Sequence, residues 1–178
     1  MNNSTIIFDA LCACLNLSGS SAEAIALIHE AYAEPENVPR PPRNRNVIYW
    51  TLLQDPSSDP VSTEYSSGDG TGRNHVPVVC TTLKYQLIIV CYGPACKEYA
   101  LRIRHMLFLD GSGFPRKILR DAGIFPVPDP PQPSLLYEEE GSLWRKRADL
   151  TVSLRVRHEQ RAPARGSISV PPAVILNQ

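Results

Sequence analysis

Arg147-Ala148-Asp149-Leu150-Thr151-Val152-Ser153-Leu154-Arg155-Val156-Arg157-His158 alternates without error: Ala148, Leu150, Val152, Leu154 and Val156 occupy one parity, and Arg147, Asp149, Thr151, Ser153, Arg155 and Arg157 the other. Successive side chains of a strand point to opposite faces, so this pattern specifies a strand with one face in a core and one that is wet or binds something. A second long alternation lies upstream, in Val76 to Tyr92. Leu83, Tyr85, Leu87, Ile89 and Cys91 fall on one side, with Thr82, Lys84 and Gln86 on the other. Ile88 and Val90 interrupt its polar side, which predicts a strand buried on both faces at its far end and central in its sheet.

Around these two strands the remaining elements fall into place. After Tyr92-Gly93-Pro94-Ala95 the period changes from 2 to 3.6, and Ala95, Tyr99, Ile103, Met106 and Leu107 form the inner stripe of a helix opened by Pro94. Ser4 to Leu17 predicts an opening helix, with Ile6, Ile7, Ala10, Leu11, Cys14 and Leu15 on one face and Ser4 as cap. Ala22 to Tyr32 is open between helix and strand. Val47 to Leu53 reads as a strand, and Phe114 to Ala122 as a short helix ended by Gly123. Between them lie irregular stretches. Glu34 to Asn46 interleaves Pro35, Pro39, Pro41 and Pro42 with Arg40, Arg43 and Arg45, an extended polyproline-like arm. Asp55 to Asn74, rich in Ser, Asp, Gly and Pro, reads as a long loop. Ile168 to Leu176 contains Pro171 and Pro172 and fits only an edge strand or an arm. The expected architecture is α+β: a mixed, mainly antiparallel sheet with a few helices packed on it, plus proline-rich extended arms. The expected organisation is one domain over residues 1–178, with arms at 34–46 and 160–178 and a loop at 55–74.

Composition bounds the function. The chain has 178 residues, enough for one core, and its 17 Pro exclude long uninterrupted helices. Eighteen basic residues balance eighteen acidic ones, which removes the global positive charge that non-specific nucleic-acid binding needs. No apolar stretch approaches the roughly 20 residues of a membrane span. The first basic residue is Arg40, so the N-terminus lacks the basic region of a secretory signal, and a cytoplasmic protein with reduced thiols is expected.

The chemical motifs fail one by one. Cys12, Cys14, Cys80, Cys91 and Cys96 contain no Cys-x-x-Cys pair, and His29, His75, His105 and His158 are scattered, so neither a metal site nor a Cys91–His105 nucleophile is supported. Gly68, Gly70 and Gly72 lack the strand and the Gly-Lys-Ser/Thr of a phosphate loop. Glu138, Glu139 and Glu140, beside Gly141, read as a solvated turn. No cofactor and no catalytic residue is expected.

Charge layout is more informative. Residues 1–36 carry five acids and no Lys or Arg, while residues 141–178 carry seven basic residues against two acids, so opposed ends hide inside a neutral total. Either the ends meet within one chain, or the acidic pole of one copy meets the basic pole of the next and a ring closes. The candidate inter-subunit or partner contacts are Arg40, Arg43, Arg45, Arg145, Lys146, Arg147, Arg155 and Arg157.

The opening helix, Pro39-Arg40-Pro41-Pro42 leading into Val47-Ile48-Tyr49-Trp50-Thr51, Tyr92-Gly93-Pro94-Ala95 with its helix to Leu107, and the strand start Arg147-Ala148-Asp149-Leu150 occur in an order that resembles the tail terminator or neck proteins of tailed bacteriophages. The resemblance covers most of the chain. It implies a structural virion protein of the tail or neck, assembled in the host cytoplasm. It also implies a homo-oligomeric ring, a hexamer, that caps the tail tube and contacts the tube protein and a neck or head-completion protein. DNA would pass without specific binding, and no membrane is involved. Two other readings stay open: a small enzyme with an unrecognised site, and a local nucleic-acid contact through Arg145, Lys146 and Arg147 beside Trp144.

Overall fold

A computed structural model describes residues 3–31, 44–55, 63–66, 78–111, 113–140 and 143–161. The elements run α1 (Asn3–Leu15), α2 (Ala22–Leu27), β1 (Ile28–Glu30), β2 (Val47–Gln54), β3 (Thr63–Ser66), β4 (Val78–Tyr92), α3 (Cys96–Phe108), α4 (Phe114–Asp121), β5 (Ile124–Pro126), β6 (Ser134–Glu140) and β7 (Leu143–Arg161). Seven strands form one mixed sheet in the order β1-β2-β4-β7-β5, with β3 added to β4 and β6 to β7. Only β1 and β2 are parallel; every other pairing is antiparallel. The fold is α+β, as its periodicities predict.

β4 and β7 pair along the whole of β4, from Val78 opposite Arg161 to Tyr92 opposite Arg147. This register puts Leu87, Ile89 and Cys91 beside Val152, Leu150 and Ala148 on one face, where they are buried with Ile48 and Trp50 of β2. The helices close the same face. Ile7, Leu11 and Cys14 of α1, Ala100, Ile103 and Leu107 of α3, and Leu119 of α4 join that cluster. Burying a side chain of this size contributes roughly 1.5–3 kcal/mol, so this layer rather than any polar contact carries the stability.

Several local expectations are revised. The ambiguous Ala22–Tyr32 stretch is both things: Ser21 caps α2 by accepting from the Ala24 amide at 3.1 Å, and the chain passes directly into β1. Ser4 lies inside α1 rather than ahead of it, and its hydroxyl donates to Glu30 Oε1 at 2.9 Å, tying α1 to β1. The inner stripe of α3 begins at Cys96, with Ala95 as its N-cap. Thr63–Ser66, read as loop, is β3, and Glu138–Glu140, read as a turn, belongs to β6. Both strands are too short or too polar to show a period, and take their conformation from the partner strand. Ile88 and Val90 are only half-buried, since none of the described helices covers the second face of the sheet. Residues 34–43, 56–62, 67–74 and 162–178, to which arms and loop were assigned, lie outside the described residues.

The turn from β4 to α3 depends on Gly93. Its φ is +106°, and a Cβ there would lie 2.6 Å from both the Arg45 carbonyl oxygen and Asn46 Oδ1. Asn46 Oδ1 accepts from the Ala95 amide at 2.9 Å, so the side chain that blocks a Cβ also fixes the helix entry. Replacing Gly93 with Ala adds a left-handed conformational penalty of about 1–2 kcal/mol to a steric clash against backbone. Urea unfolding of Gly93→Ala is expected to show a loss of at least about 2 kcal/mol; an unchanged midpoint contradicts this account of the turn.

Candidate functional site

The face of the sheet turned away from the helices, called the outer face, carries two groups of charge. At the end where β4 enters its turn, Arg147 donates to Asp149 through Nε to Oδ1 at 2.6 Å and Nη2 to Oδ2 at 2.7 Å, a bidentate pair two residues apart on one strand. Arg147 Nη1 also reaches Glu138 Oε2 on β6 at 3.3 Å. The same carboxylate oxygen accepts from the Tyr92 hydroxyl at 2.8 Å. The buried Arg145 lays its guanidinium 4.4 Å from the centre of the Tyr92 ring, and Tyr49 meets that ring edge-on at 6.1 Å. Geometry and charge are matched here. The hydrogen bonds to Asp149 hold Arg147 charged well beyond its ordinary range, and burial, then the bond to Glu138, pushes the Tyr92 phenol up to about 12. This cluster locks β4, β6 and β7 together.

At the other end the balance is different. Lys84 and Arg155 are direct cross-strand partners, and Arg157 follows on the same face. All three are exposed. Arg157 Nη2 donates to Cys80 Sγ at 3.2 Å. Like charges directly opposite each other on a sheet destabilise it, so the Lys84–Arg155 pair is adverse to the isolated molecule and favourable to an anionic contact.

The helix-side face has its own exposed feature beyond the N-terminus of α3. Leu135 and Tyr137 of β6 and Trp144 of β7 are 51%, 65% and 66% exposed. With Pro94, Lys97 and Lys146 the two β6 side chains line a groove of about 260 Å³. A second hollow of about 240 Å³, between Glu23, Leu27, Arg45, Asn46 and Tyr99, lies at the start of β2.

The predicted contact residues are thus distributed among different surfaces. Arg155 and Arg157 come together with Lys84. Arg145 and Arg147 belong to the Tyr92 cluster, Lys146 to the opposite face with Tyr137, and Arg45 to the second hollow. Arg40 and Arg43 lie outside the described residues. Arg145, Lys146 and Arg147 therefore do not form one basic patch with Trp144, since alternation divides them between faces. Lys84, Tyr92, Glu138 and Asp149 were missed because their roles depend on strand register, which no local pattern encodes.

Among the described residues no group of three or more His, Cys, Asp or Glu side chains is placed to hold a metal ion, and no helix is long and apolar enough to cross a membrane. All five cysteines are free and buried. Burial pushes the thiols of Cys14 and Cys91 up to about 12, which leaves little thiolate at neutral pH.

Neutralised charge inside and exposed charge and apolar area outside define a protein of contact surfaces. The chain belongs to the phage neck terminator protein family, whose model matches residues 6–173. It is accordingly a structural bacteriophage protein of the neck, with a role in joining head and tail, as the resemblance in its sequence implied. No curated protein matches it.

The Tyr92 phenol supplies a test of the cluster. Its folded pKa of about 12 exceeds the ordinary value near 10, so its contribution is complete below about pH 10 and is lost as pH rises towards 12. The gap in urea midpoint between wild type and Tyr92→Phe should therefore hold up to about pH 10 and narrow as pH rises towards 12. A constant gap contradicts the buried, hydrogen-bonded phenol.

Proposed function

We propose that the protein assembles head to tail into a ring, of six copies, that caps the tail tube and presents a surface to a neck or head-completion protein. One domain forms the body of each subunit, with residues 34–46 and 160–178 as arms. Assembly takes place in the host cytoplasm, and the finished ring lets DNA pass without binding it specifically.

The observation that carries this reading is the exposed Lys84–Arg155 pair with Arg157 beside it. The sheet order supplies the complementary pole. β1 is an edge strand, with β2 between it and β4 and both between it and β7, and the acidic segment around it includes the exposed Asp9, Glu23 and Glu30. Two strand spacings separate β1 from Lys84 and three from Arg155, about 10 and about 14 Å between strand axes, which keeps these poles out of direct contact. A heterologous contact brings the acidic edge of one copy to the basic strip of the next, and repeating that contact closes a ring. Such contacts set orientation and encounter rate more than raw affinity.

Reversing the charge of the strip separates folding from assembly. Glu at position 155 would face Lys84, turning an adverse pair into a favourable one, so Arg155→Glu should fold at least as stably as wild type. Its association, measured by sedimentation velocity, should weaken at least tenfold. Raising salt from 0.1 M to 1 M, where the screening length falls from about 10 to about 3 Å, should weaken wild-type association in the same direction. Unchanged sedimentation in both arms removes the charge argument.

A further inference from the structure

β6 is bonded to β7 along one side, and among the described strands nothing pairs with its other side. An open edge is a template for another strand, and natural proteins blunt such edges with charge, proline or a covering element. β6 is blunted only towards its end, by Glu138 and Glu139. Its first half presents Leu135 and Tyr137 on the helix side and Leu136, 46% exposed, on the outer face. Trp144 extends the apolar area, and the groove against Pro94 and Lys97 runs alongside. A backbone edge flanked by apolar side chains on both faces fits an extended apolar segment rather than a nucleic acid or a small polar molecule.

The chain supplies such a segment. Beyond Arg161, where β7 ends, residues 162–178 hold one charge, Arg165, and in the stretch from Ile168 the even positions are Ile168, Val170, Pro172, Val174 and Leu176. The other parity holds Ser169, Pro171, Ala173 and Ile175, so the even positions form a continuous apolar face and the last three residues are apolar on both parities. Proline fits an edge strand where its missing amide would face away from the partner, so of the adjacent Pro171 and Pro172 one is accommodated and the other costs the added strand a single ladder hydrogen bond.

Length decides which copy provides it. β6 pairs with the Leu143–Asp149 end of β7, twelve residues from Arg161, a distance of about 40 Å. Running back fully extended, the segment would use about twelve of its seventeen residues before reaching its own β6, leaving only about five from Val174 onward. Ile168 and Val170 would never arrive. In a neighbouring copy the whole stretch is available.

We propose that residues 168–176 of a second copy add as a strand to the open edge of β6, their apolar face on Leu135, Tyr137 and Trp144. The proposal rests on the ring reading in that it needs an adjacent copy, and it names the contact that reading leaves unspecified.

The test uses full-length chains. Tyr137→Cys in a chain with one tag is mixed with Val174→Cys in a chain with another and oxidised with diamide; the five native thiols are buried. The expected result is a disulfide joining the two tags. A sample that assembles by sedimentation without this cross-link overturns the proposal and leaves the ring reading standing. A sample that neither cross-links nor assembles overturns both. Wild-type protein gives an independent readout free of substitution effects. Trp50 is buried and Trp144 exposed, so a synthetic peptide of residues 162–178 should shift Trp144 emission to the blue and reduce the cross-link. An unchanged spectrum at peptide excess overturns the proposal.

Discussion

The antiparallel ladder between β4 and β7 is the constraint on which everything else depends. It engages all fifteen residues of β4, and a slip of one residue would turn the Leu150, Val152 and Leu154 side chains out of the core. Several kilocalories of apolar burial on one face therefore select a single register. The same register decides the other face, where no burial is at stake. It sets Tyr92 opposite Arg147, beside Glu138 and Asp149, and it sets Lys84 opposite Arg155. The charges of the outer face are arranged by the packing of the inner one.

Attached to this ladder, β2 and β1 extend it on the side of the acidic N-terminal segment, and β5 and β6 flank β7 on the other side. Opposite charges are matched where β4, β6 and β7 meet. Arg147 and Asp149, with side chains 29% and 23% exposed, are drawn into a bidentate pair that an exposed lysine and carboxylate would not form with comparable strength. At the far end of the ladder Lys84 and Arg155 stand opposite each other, with Arg157 bonded to Cys80 Sγ on the same face. A fold that leaves like charges opposed at a surface gives up some stability of the single subunit. A partner of opposite sign would offset that cost.

The sequence disclosed those features that one strand or helix encodes by itself. The alternation of Arg147–His158 and the change of period after Gly93 gave the two long strands and α3, and the spacing of Ile7, Leu11 and Cys14 gave the buried face of α1. β3, β5 and β6 stayed hidden because a short or polar strand carries no readable period and is shaped by its neighbour. The candidate surface was legible in part. Charge counting pointed to Arg155 and Arg157, whose role as contacts is a proposal, whereas Lys84 was placed only on a polar side, because pairing it with Arg155 depends on the register between two strands far apart in sequence. Charge counting also overreached: Arg145 and Arg147 count towards the basic end, yet one is buried over a tyrosine ring and the other is held by two carboxylates.

The central claim is that the subunit is an incomplete object whose opposed edges are completed by copies of itself. Negative-stain imaging of the purified wild-type protein across a range of concentrations tests it most directly. Closed rings with a central opening, present at low salt and at rising concentration, are the result this account predicts. Solitary compact particles at every concentration would contradict it.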